Sequence, residues 1–294
     1  MSTTGYSDLL PGVSENVTSR LLAKLDHVAR SSVVKDLGDK KIDEYVVSYS
    51  GGIDSSILSA LALSLFGNEV SLFSVARMGS RDGVEFSSGR DLAFADRVLF
   101  SSVSGELIED AAKQVSSILG FANVRVSHLE DCIAFHLIAK ELQRKKPHAR
   151  YIVTANGPDE LFCGYDRYRR IYLEGGLKGI ELEIPRALKE ARDLKKAVRA
   201  VIGPLGFETL DPFLSDEFVT FSKDDVPLQV KLNGPDDRLR KRLWRAYGRL
   251  LGLGDTTVLK PKRAMQYSMG IHAIVSGMLR RGELVIENPK IKKA

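Results

Sequence analysis

The sequence has few of the residues that build disulfide-linked, zinc-bound or membrane-spanning proteins. Its 294 residues include two cysteines, Cys132 and Cys163, too few for a disulfide framework or a tetrahedral zinc site. No apolar run approaches the roughly 18 to 20 residues of a membrane span. The first residues, Met1 to Gly5, lack a basic region followed by an apolar run, so we predict no secretory signal. Together these absences predict a cytoplasmic protein without a membrane partner.

Charge and composition exclude a second group of protein classes. The chain is 44% hydrophobic, with 43 basic and 38 acidic side chains and a net charge of +5, which is not the composition of a disordered or collagen-like chain. The mild positive charge is compatible with a polyanion such as ATP or RNA. The five histidines show no metal-binding spacing such as HExxH, and we assign none of them to a metal.

Strand-like and helix-like segments alternate along the first half of the chain. Apolar, β-branched or aromatic runs predict four strands at residues 45–49, 70–75, 98–103 and 151–154. Helical patterns precede and separate them, up to residue 37 and at residues 55–65, 106–119 and 129–144. This alternation predicts an α/β fold, a parallel sheet with helices on both faces.

Beyond about residue 168 the strand signal fades, and residues 188–201 and 237–251 predict helices. We therefore divide the chain into three parts. Residues 1–40 are a helical extension, residues 41–175 an α/β core, and residues 176–294 a helical C-terminal part that completes the same functional unit.

The segment SGGIDS follows the first predicted strand and begins the next helix. Gly51 and Gly52 permit close approaches that a Cβ would block. The hydroxyls of Ser50 and Ser55 and the free N–H groups of the helix start predict a pocket for phosphate. Asp54 would repel phosphate unless Mg²⁺ lies between them. The alternative interpretation is a helix start that Asp54 and Ser55 merely cap.

The segment YIVTANGPDELFCGY begins in the fourth predicted strand. It places Asp159 at the carboxyl edge of a parallel strand, where open α/β sheets bind ligands. Asp54 and Asp159, arriving from two strand ends, suit a Mg²⁺ ion bound to pyrophosphate. The alternative is that Asp159 and Glu160 cap a helix.

These segments resemble a known family. SGGxDS after an apolar strand resembles the pyrophosphate loop of the ATP pyrophosphatases, and DELFCGY resembles the DELFGGY signature of the asparagine synthetase synthase domain. LKPKRAMQY, which follows KRLWR, resembles the family's "K..LR … RPK" region, and ETLDPFL resembles its EARVPFLD segment. A similar PKRAMQ run occurs in asparagine synthetase domain-containing proteins. The resemblance covers roughly residues 40 to 275 and implies an adenine nucleotide alpha hydrolase-like fold.

The resemblance also implies a ligase reaction with ATP and Mg²⁺ as cofactors. In this family ATP activates a carboxylate as an acyl-adenylate with release of pyrophosphate, and ammonia displaces AMP; the carboxylate here is aspartate or another acid. The implied site residues are Ser50, Gly51, Gly52 and Ser55 for pyrophosphate; Asp54 and Asp159 for Mg²⁺; Tyr49, Val75, Thr154, Ala155 and Gly157 for the nucleotide; and Lys262 for charge on the leaving phosphates. The alternative for Lys262 is a surface lysine in a basic loop.

Some residues depart from the family pattern in the part of the site where ammonia would displace AMP from the acyl-adenylate. Asn156 stands where asparagine synthetases carry Glu and β-lactam-forming relatives carry Tyr. Asparagine can hydrogen-bond a substrate but cannot accept a proton, so Glu160 is considered as a substitute base. Glutamine-dependent members carry a catalytic Cys after Met1, whereas this chain has Ser2. We therefore expect free ammonia or a separate glutaminase subunit to supply nitrogen, and we consider a homodimer.

Two other functions stay open. The basic residues between 238 and 249, interleaved with Trp244 and Tyr247, could contact RNA as in a tRNA-modifying relative that adenylates a base. The competing interpretation is a solvated helix face with Leu239, Leu243 and Leu250 directed inward. The third possibility is a degenerate nucleotide-binding subunit, for which Asn156 is the main argument.

Overall fold

The structure is a computed structural model that describes residues 5–79, 94–120, 125–261 and 269–284. The strands in these ranges are β1 (Tyr45–Ser48), β2 (Leu72–Arg77), β3 (Val98–Val103), β4 (Tyr151–Val153) and β5 (Glu208–Leu210). The helices are α1 (Glu15–Leu37), α2 (Ile53–Phe66), α3 (Gly105–Leu119), α4 (Val126–Lys145), α5 (Pro158–Leu161), α6 (Arg167–Ile202), α7 (Asp216–Asp224), α8 (Arg242–Leu250), α9 (Asp255–Val258) and α10 (Ile271–Arg280). Short 3-10 turns lie at Ala95–Arg97, Gly203–Leu205, Pro212–Leu214 and Leu228–Val230. Across the described ranges, every helix lacks the combination of length and apolar character that a bilayer crossing requires.

The five strands form one parallel sheet in the order β3-β2-β1-β4-β5. Val47 in the central strand β1 lies opposite Leu72 on one side and Val153 on the other. The four predicted strands begin and end within two residues of their predicted positions. The predicted α/β class is confirmed.

Alternating side chains of the central strands enter two cores, one on each face of the sheet. Tyr45, Val47 and Val153 belong to the core formed with α1, α2, α7 and α8. Val46 and Ile152 belong to the opposite core, formed with α3, α4 and α10. Both faces of these strands are therefore buried, which is why the strands are continuous apolar runs in the sequence.

The fifth strand has no counterpart among the sequence predictions. Its three residues, Glu208–Leu210, carry no apolar run. The strand forms because the edge of β4 supplies hydrogen-bonding partners, as where the Thr154 N–H donates to the Leu210 carbonyl at 2.8 Å. Residues beyond 175 thus complete the sheet. Helix α6 also spans residue 175, with a kink at Gly176 where φ is 59°, and a division of the chain near that residue stays a prediction.

Candidate active site

The candidate site lies where the strand order reverses. β2 and β3 follow β1 on one side, whereas β4 and β5 lie on its other side. The loops that leave the carboxyl ends of β1 and β4 therefore diverge, and open α/β sheets bind ligands in the crevice between such loops. A cavity of about 510 Å³ occupies this position.

Most of the predicted site residues line this cavity. They are Ser50, Gly52, Asp54, Ser55, Thr154, Ala155, Asn156, Asp159 and Glu160. Tyr49 and Val75 are buried in the sheet and, like Gly51 and Gly157, are not among the described residues of the cavity lining. Lys262 lies outside the described residues. The structure thus brings the two motifs together, and the roles of their residues stay predictions.

The glycine-rich turn leaves the start of α2 open to the cavity. The Ser50 N–H and hydroxyl both lie 3.1 Å from the Ser55 hydroxyl, which donates to the Gly52 carbonyl at 3.1 Å. Gly51 has a φ of 72°, a conformation that glycine adopts without strain. Among the described residues no side chain caps α2, whose N-cap is Gly52. The first N–H groups and the positive end of the helix dipole therefore face the cavity, as in phosphate-binding turns.

The carboxylates of Asp54 and Asp159, one from each motif, both contact the buried ammonium of Lys241. The Lys241 Nζ lies 2.5 Å from Asp54 Oδ2 and 2.6 Å from Asp159 Oδ1, and the Lys241 side chain is 1% exposed. Trp244 Nε1 donates to the other oxygen of Asp54 at 2.9 Å. The two carboxylates are therefore held at fixed positions around a single cation.

Backbone geometry directs Lys241 into this position. Arg240 and Lys241 both have left-handed backbones, with φ of 57° and 52°, so the chain turns before α8 begins. The carboxylate of Asp237 accepts the Arg240 N–H at 3.0 Å and stabilises this turn. A Cβ on Gly164 would lie 2.0 Å from Asp159 Oδ1 and 2.1 Å from Lys241 Cε. Only glycine fits at this point of the DELFCGY segment.

Two buried guanidinium groups that border the cavity each have one nitrogen without a described partner. Arg240 and Arg245 both line it and are 9% and 0% exposed. Within the described part of the chain, Arg240 Nε and Arg245 Nη2 have no hydrogen-bond partner. Burial lowers the pKa of Arg245 to about 10, a value at which the group is still charged at neutral pH. Buried donors without partners are destabilising unless a ligand satisfies them, and here an anion fits.

The acidic pair fits a divalent cation. Asp54 and Asp159 converge on the single Lys241 nitrogen, so a metal ion at that point is within reach of both. The described ranges hold no group of three or more His, Cys, Asp or Glu suited to a metal. A two-carboxylate site completed by phosphate and water is typical of Mg²⁺. Entry of Mg²⁺ at this point requires the ammonium of Lys241 to move.

Glu160 lies deeper in the same cavity and is 5% exposed. Burial raises the pKa of its carboxyl, and the charge of Asp159 adds to the effect. The Tyr165 hydroxyl donates to Oε1 at 2.6 Å, whereas Oε2 is without a hydrogen-bond partner among the described residues. This environment favours the protonated carboxyl.

The basic segment between residues 238 and 249 agrees only in part with the solvated helix face of the competing interpretation. As expected there, Leu243 is buried and Leu239 packs against the core. Besides the buried Lys241, Arg242 pairs with the buried Asp237 at 2.7 Å, and Arg249 also forms ion pairs. Leu250, expected to face inward, is 45% exposed. The helix α8 itself starts at Arg242 and not at residue 237. Arg240, Lys241, Arg242 and Arg249 thus form ion pairs within the chain, whereas Arg238 is exposed. Contact with RNA stays a hypothesis.

Sequence reasoning placed Arg240, Lys241, Trp244 and Arg245 only in a candidate RNA-contacting segment and gave them no part in the ATP site. Lys241 and Asp54 are 187 positions apart in the chain, and no local pattern indicates that they touch. The signal that could have found Lys241 is the KRLWR segment, in which it stands at the lysine of the family's K..LR pattern. Cys163 of the DELFCGY segment is buried, and burial raises the pKa of its thiol to about 12.

The asparagine synthase family model matches residues 43–203, more than half of the chain. The chain belongs to the asparagine synthase family. The matched range contains both motifs of the cavity, so the resemblance that they indicated is confirmed.

Relatives in the asparagine synthase family share only part of their length with the chain. It is 35% identical over 140 residues to asparagine synthetase domain-containing protein 1 of Homo sapiens, covering 46% of this chain and 21% of that protein. It is 25% identical over 221 residues to a Methanocaldococcus jannaschii protein provisionally designated a glutamine-hydrolyzing asparagine synthetase, covering 73% of this chain and 38% of that protein. The chain thus spans less than half the length of either relative.

Among solved structures, the U34-tRNA thiolase NcsA from Methanococcus maripaludis, with its 4Fe–4S cluster, aligns at a TM-score of 0.37 and 14% identity. The alignment covers 92% of this chain and 84% of that one. The likeness is too distant to bear on fold or activity.

Proposed function

We propose that the chain is an ATP-dependent carbon–nitrogen ligase. It joins a carboxylate to AMP with release of pyrophosphate, and ammonia then displaces AMP to form an amide. The observation that carries this proposal is the convergence of Asp54 and Asp159 on one cation position beside the uncapped start of α2. Membership of the asparagine synthase family supports ATP as the nucleotide.

The phosphates of ATP bind at the end of the cavity that carries the unpaired donors. Ser50, Ser55 and the first N–H groups of α2 hold the pyrophosphate portion. Arg240 Nε and Arg245 Nη2, both buried and without described partners, donate to phosphate oxygens. Binding of the anion therefore satisfies groups that are unsatisfied in the free protein, which favours the nucleotide over a neutral ligand.

Asp54 and Asp159 hold Mg²⁺ in this proposal. When bound, Mg²⁺ neutralises the negative charge that develops on the departing pyrophosphate. Lys241, once it leaves the carboxylate pair, remains beside the same phosphates and adds a second positive charge. Lys262 is assigned the same task by its match to the family lysine.

The carboxylate to be activated binds at the end of the cavity lined by Asn156 and Glu160. We propose aspartate as this substrate and free ammonia, or ammonia from a separate glutaminase subunit, as the nitrogen donor. The raised pKa of Glu160 makes its carboxylate a stronger base, so the ionised form can take up a proton from the attacking nitrogen. Asn156 contributes a hydrogen bond and no proton transfer.

ATP–pyrophosphate exchange tests the proposal directly. The assay measures carboxylate-dependent incorporation of labelled pyrophosphate into ATP, with a panel of aspartate, other amino acids, other carboxylates and tRNA. Asp54→Asn and Asp159→Asn should each lower exchange about 100-fold or more, because each removes a charged ligand of the metal–pyrophosphate unit. Asp193→Asn, at a surface ion pair on α6, is the matched control and should retain exchange.

The pattern across the panel separates the functions. Exchange with one or more carboxylates that depends on both aspartates supports the ligase. Exchange with tRNA alone supports a tRNA-modifying enzyme, and nucleotide binding without any exchange supports a degenerate subunit. Unchanged exchange in Asp54→Asn contradicts the assigned metal role.

A further inference from the structure

A buried carboxylate beside the site has no part in the steps proposed above. Asp211 directly follows β5 and is 4% exposed. Its Oδ1 accepts hydrogen bonds from the Thr154 hydroxyl and, at 2.9 Å, from Asn156 Nδ2. Its Oδ2 accepts from the Thr209 hydroxyl at 3.2 Å and lies 2.8 Å from Lys195 Nζ. Every described contact of this carboxylate thus comes from a donor.

These contacts decide which way the Asn156 amide faces. The Asp211 oxygens face the Lys195 ammonium and the hydroxyls of Thr154 and Thr209, so they act as hydrogen-bond acceptors. The atom of Asn156 that meets Asp211 must therefore be the NH₂ group, and the carbonyl oxygen lies on the other side of the amide. That oxygen has no hydrogen-bond partner among the described residues, and Asn156 lines the cavity.

The backbone that carries Asn156 is locked to the same turn. Gly157 has a φ of 117°, and a Cβ there would lie 2.4 Å from the Phe213 carbonyl oxygen. The loop after β4 therefore packs directly on the turn Pro212–Leu214 that follows Asp211. Neither the side chain nor the main chain of Asn156 can rotate without breaking these contacts.

We infer that Asp211 is a positioning residue for the amide-forming half of the reaction. By fixing the NH₂ group of Asn156, it holds the carbonyl oxygen toward the cavity as an acceptor for an N–H of the nitrogen nucleophile. The ligand class at this subsite is ammonia or a small amine. The inference rests on the proposed ligase function, and it adds a residue on the neighbouring strand to the site.

Both positions differ in charge from the family segments. In the family segments described above, Glu stands at the position of Asn156, and EARVPFLD has Val at the position of Asp211. In this chain the carboxylate is on the adjacent strand and the amide is in the pocket. A hydrogen-bond acceptor is retained at the pocket, while the negative charge is buried against Lys195.

Two substitutions separate positioning from a structural role. Asp211→Asn keeps an accepting oxygen for Asn156, whereas Asp211→Ala does not, and Asp193→Ala on the surface of α6 is the matched control. With a carboxylate that supports exchange, ammonium chloride is the nitrogen source, and amide formed per AMP is measured. Asp211→Ala should lower this ratio about 10- to 100-fold and raise the KM for ammonium, because a misplaced group loses about that much. Because Asp211 also accepts from the Thr154 hydroxyl beside the nucleotide, exchange is measured in parallel and should fall clearly less than amide formation, and Asp211→Asn should restore most of the ratio.

Equal losses of exchange and amide formation in Asp211→Ala, or an unchanged ratio, overturn the inference. A second readout needs no substrate. In ¹⁵N NMR spectra, the side-chain NH₂ of Asn156, assigned by its loss in Asn156→Asp, should show one proton slowed in solvent exchange. Asp211→Ala should abolish this protection and Asp211→Asn retain it. If no carboxylate supports exchange, the proposed function fails, and this readout still decides whether Asp211 orients Asn156.

Discussion

Replacing Lys241 with methionine tests how the two carboxylates of the site are held together. Methionine keeps most of the side-chain volume and removes the ammonium that lies 2.5 Å from Asp54 and 2.6 Å from Asp159. Breaking a buried ion pair by removing one partner costs about 3–5 kcal/mol. The carboxylates are slightly exposed, 14% and 16%, and Trp244 still donates to Asp54. We therefore expect Lys241→Met to lower the free energy of unfolding by about 3 kcal/mol, the lower end of this range.

The assay is urea unfolding followed by circular dichroism, in chelator and again with Mg²⁺. Without metal, Lys241→Met should lower the free energy of unfolding by about 3 kcal/mol. Mg²⁺ should restore part of it, because a ligand that binds only the folded state stabilises that state. Adding Asp159→Asn to Lys241→Met should also restore part of the lost free energy of unfolding, because it removes the repulsion between the two carboxylates. Lys189→Met, an exposed lysine in a surface ion pair, is the control and should change stability by less than about 1 kcal/mol.

Two results would refute this reasoning. The first is a loss below about 1 kcal/mol in Lys241→Met without metal, which is the range of a surface ion pair. The second is a full loss that neither Mg²⁺ nor Asp159→Asn reduces, because the damage would then be due to packing and not to uncompensated charge.

Two further predictions concern groups away from the metal position. Lys231 is 1% exposed, its Nζ bonds the Ser222 carbonyl at 2.5 Å, and burial lowers its pKa from 10.5 to about 8. The folded chain therefore releases this proton at lower pH than the unfolded chain. The free energy of unfolding, relative to that of Lys231→Met, should rise by about 3 kcal/mol as the pH increases from about 8 to 10.5. A difference that does not change with pH contradicts this. Gly157→Ala combines a positive φ with a clash at the Phe213 carbonyl, whereas Gly206→Ala has a φ of 85° and open space. Gly206→Ala should cost about 1–2 kcal/mol and Gly157→Ala clearly more, as thermal unfolding can measure; equal costs would show that the loop moves freely.

The parts of the fold that were predicted from sequence depend on local patterns. Residues 45–49 and 151–154 are apolar runs, and such runs form strands that are buried on both faces. Glu208–Leu210 carries no such run and becomes a strand only because β4 offers an unpaired edge. Its pairing places Asp211 beside Asn156, so a site residue was missed together with the strand that positions it.

The parts of the candidate site that were predicted lie in motifs whose local sequence fixes their conformation. The SGGIDS turn joins a strand to a helix start, and the strand order then brings Asp54 near Asp159. The start of α8 shows where a local pattern fails to predict the structure. Periodicity predicted a helix from residue 237, but the Asp237 carboxylate binds backbone N–H groups at Asn233, Leu239 and Arg240 and holds a turn there.

The sequence alone determined the α/β class, the glycine-rich turn after β1, the acidic residues at two strand ends and the family. These follow from residue types at short spacing, where geometry is nearly independent of the rest of the chain. Only the tertiary structure decided that Lys241 bridges Asp54 and Asp159, and that Asp211 orients Asn156. The reason is physical, since the energy of a charge depends on its burial and on its partners. In this chain those partners come from elements up to 187 residues apart.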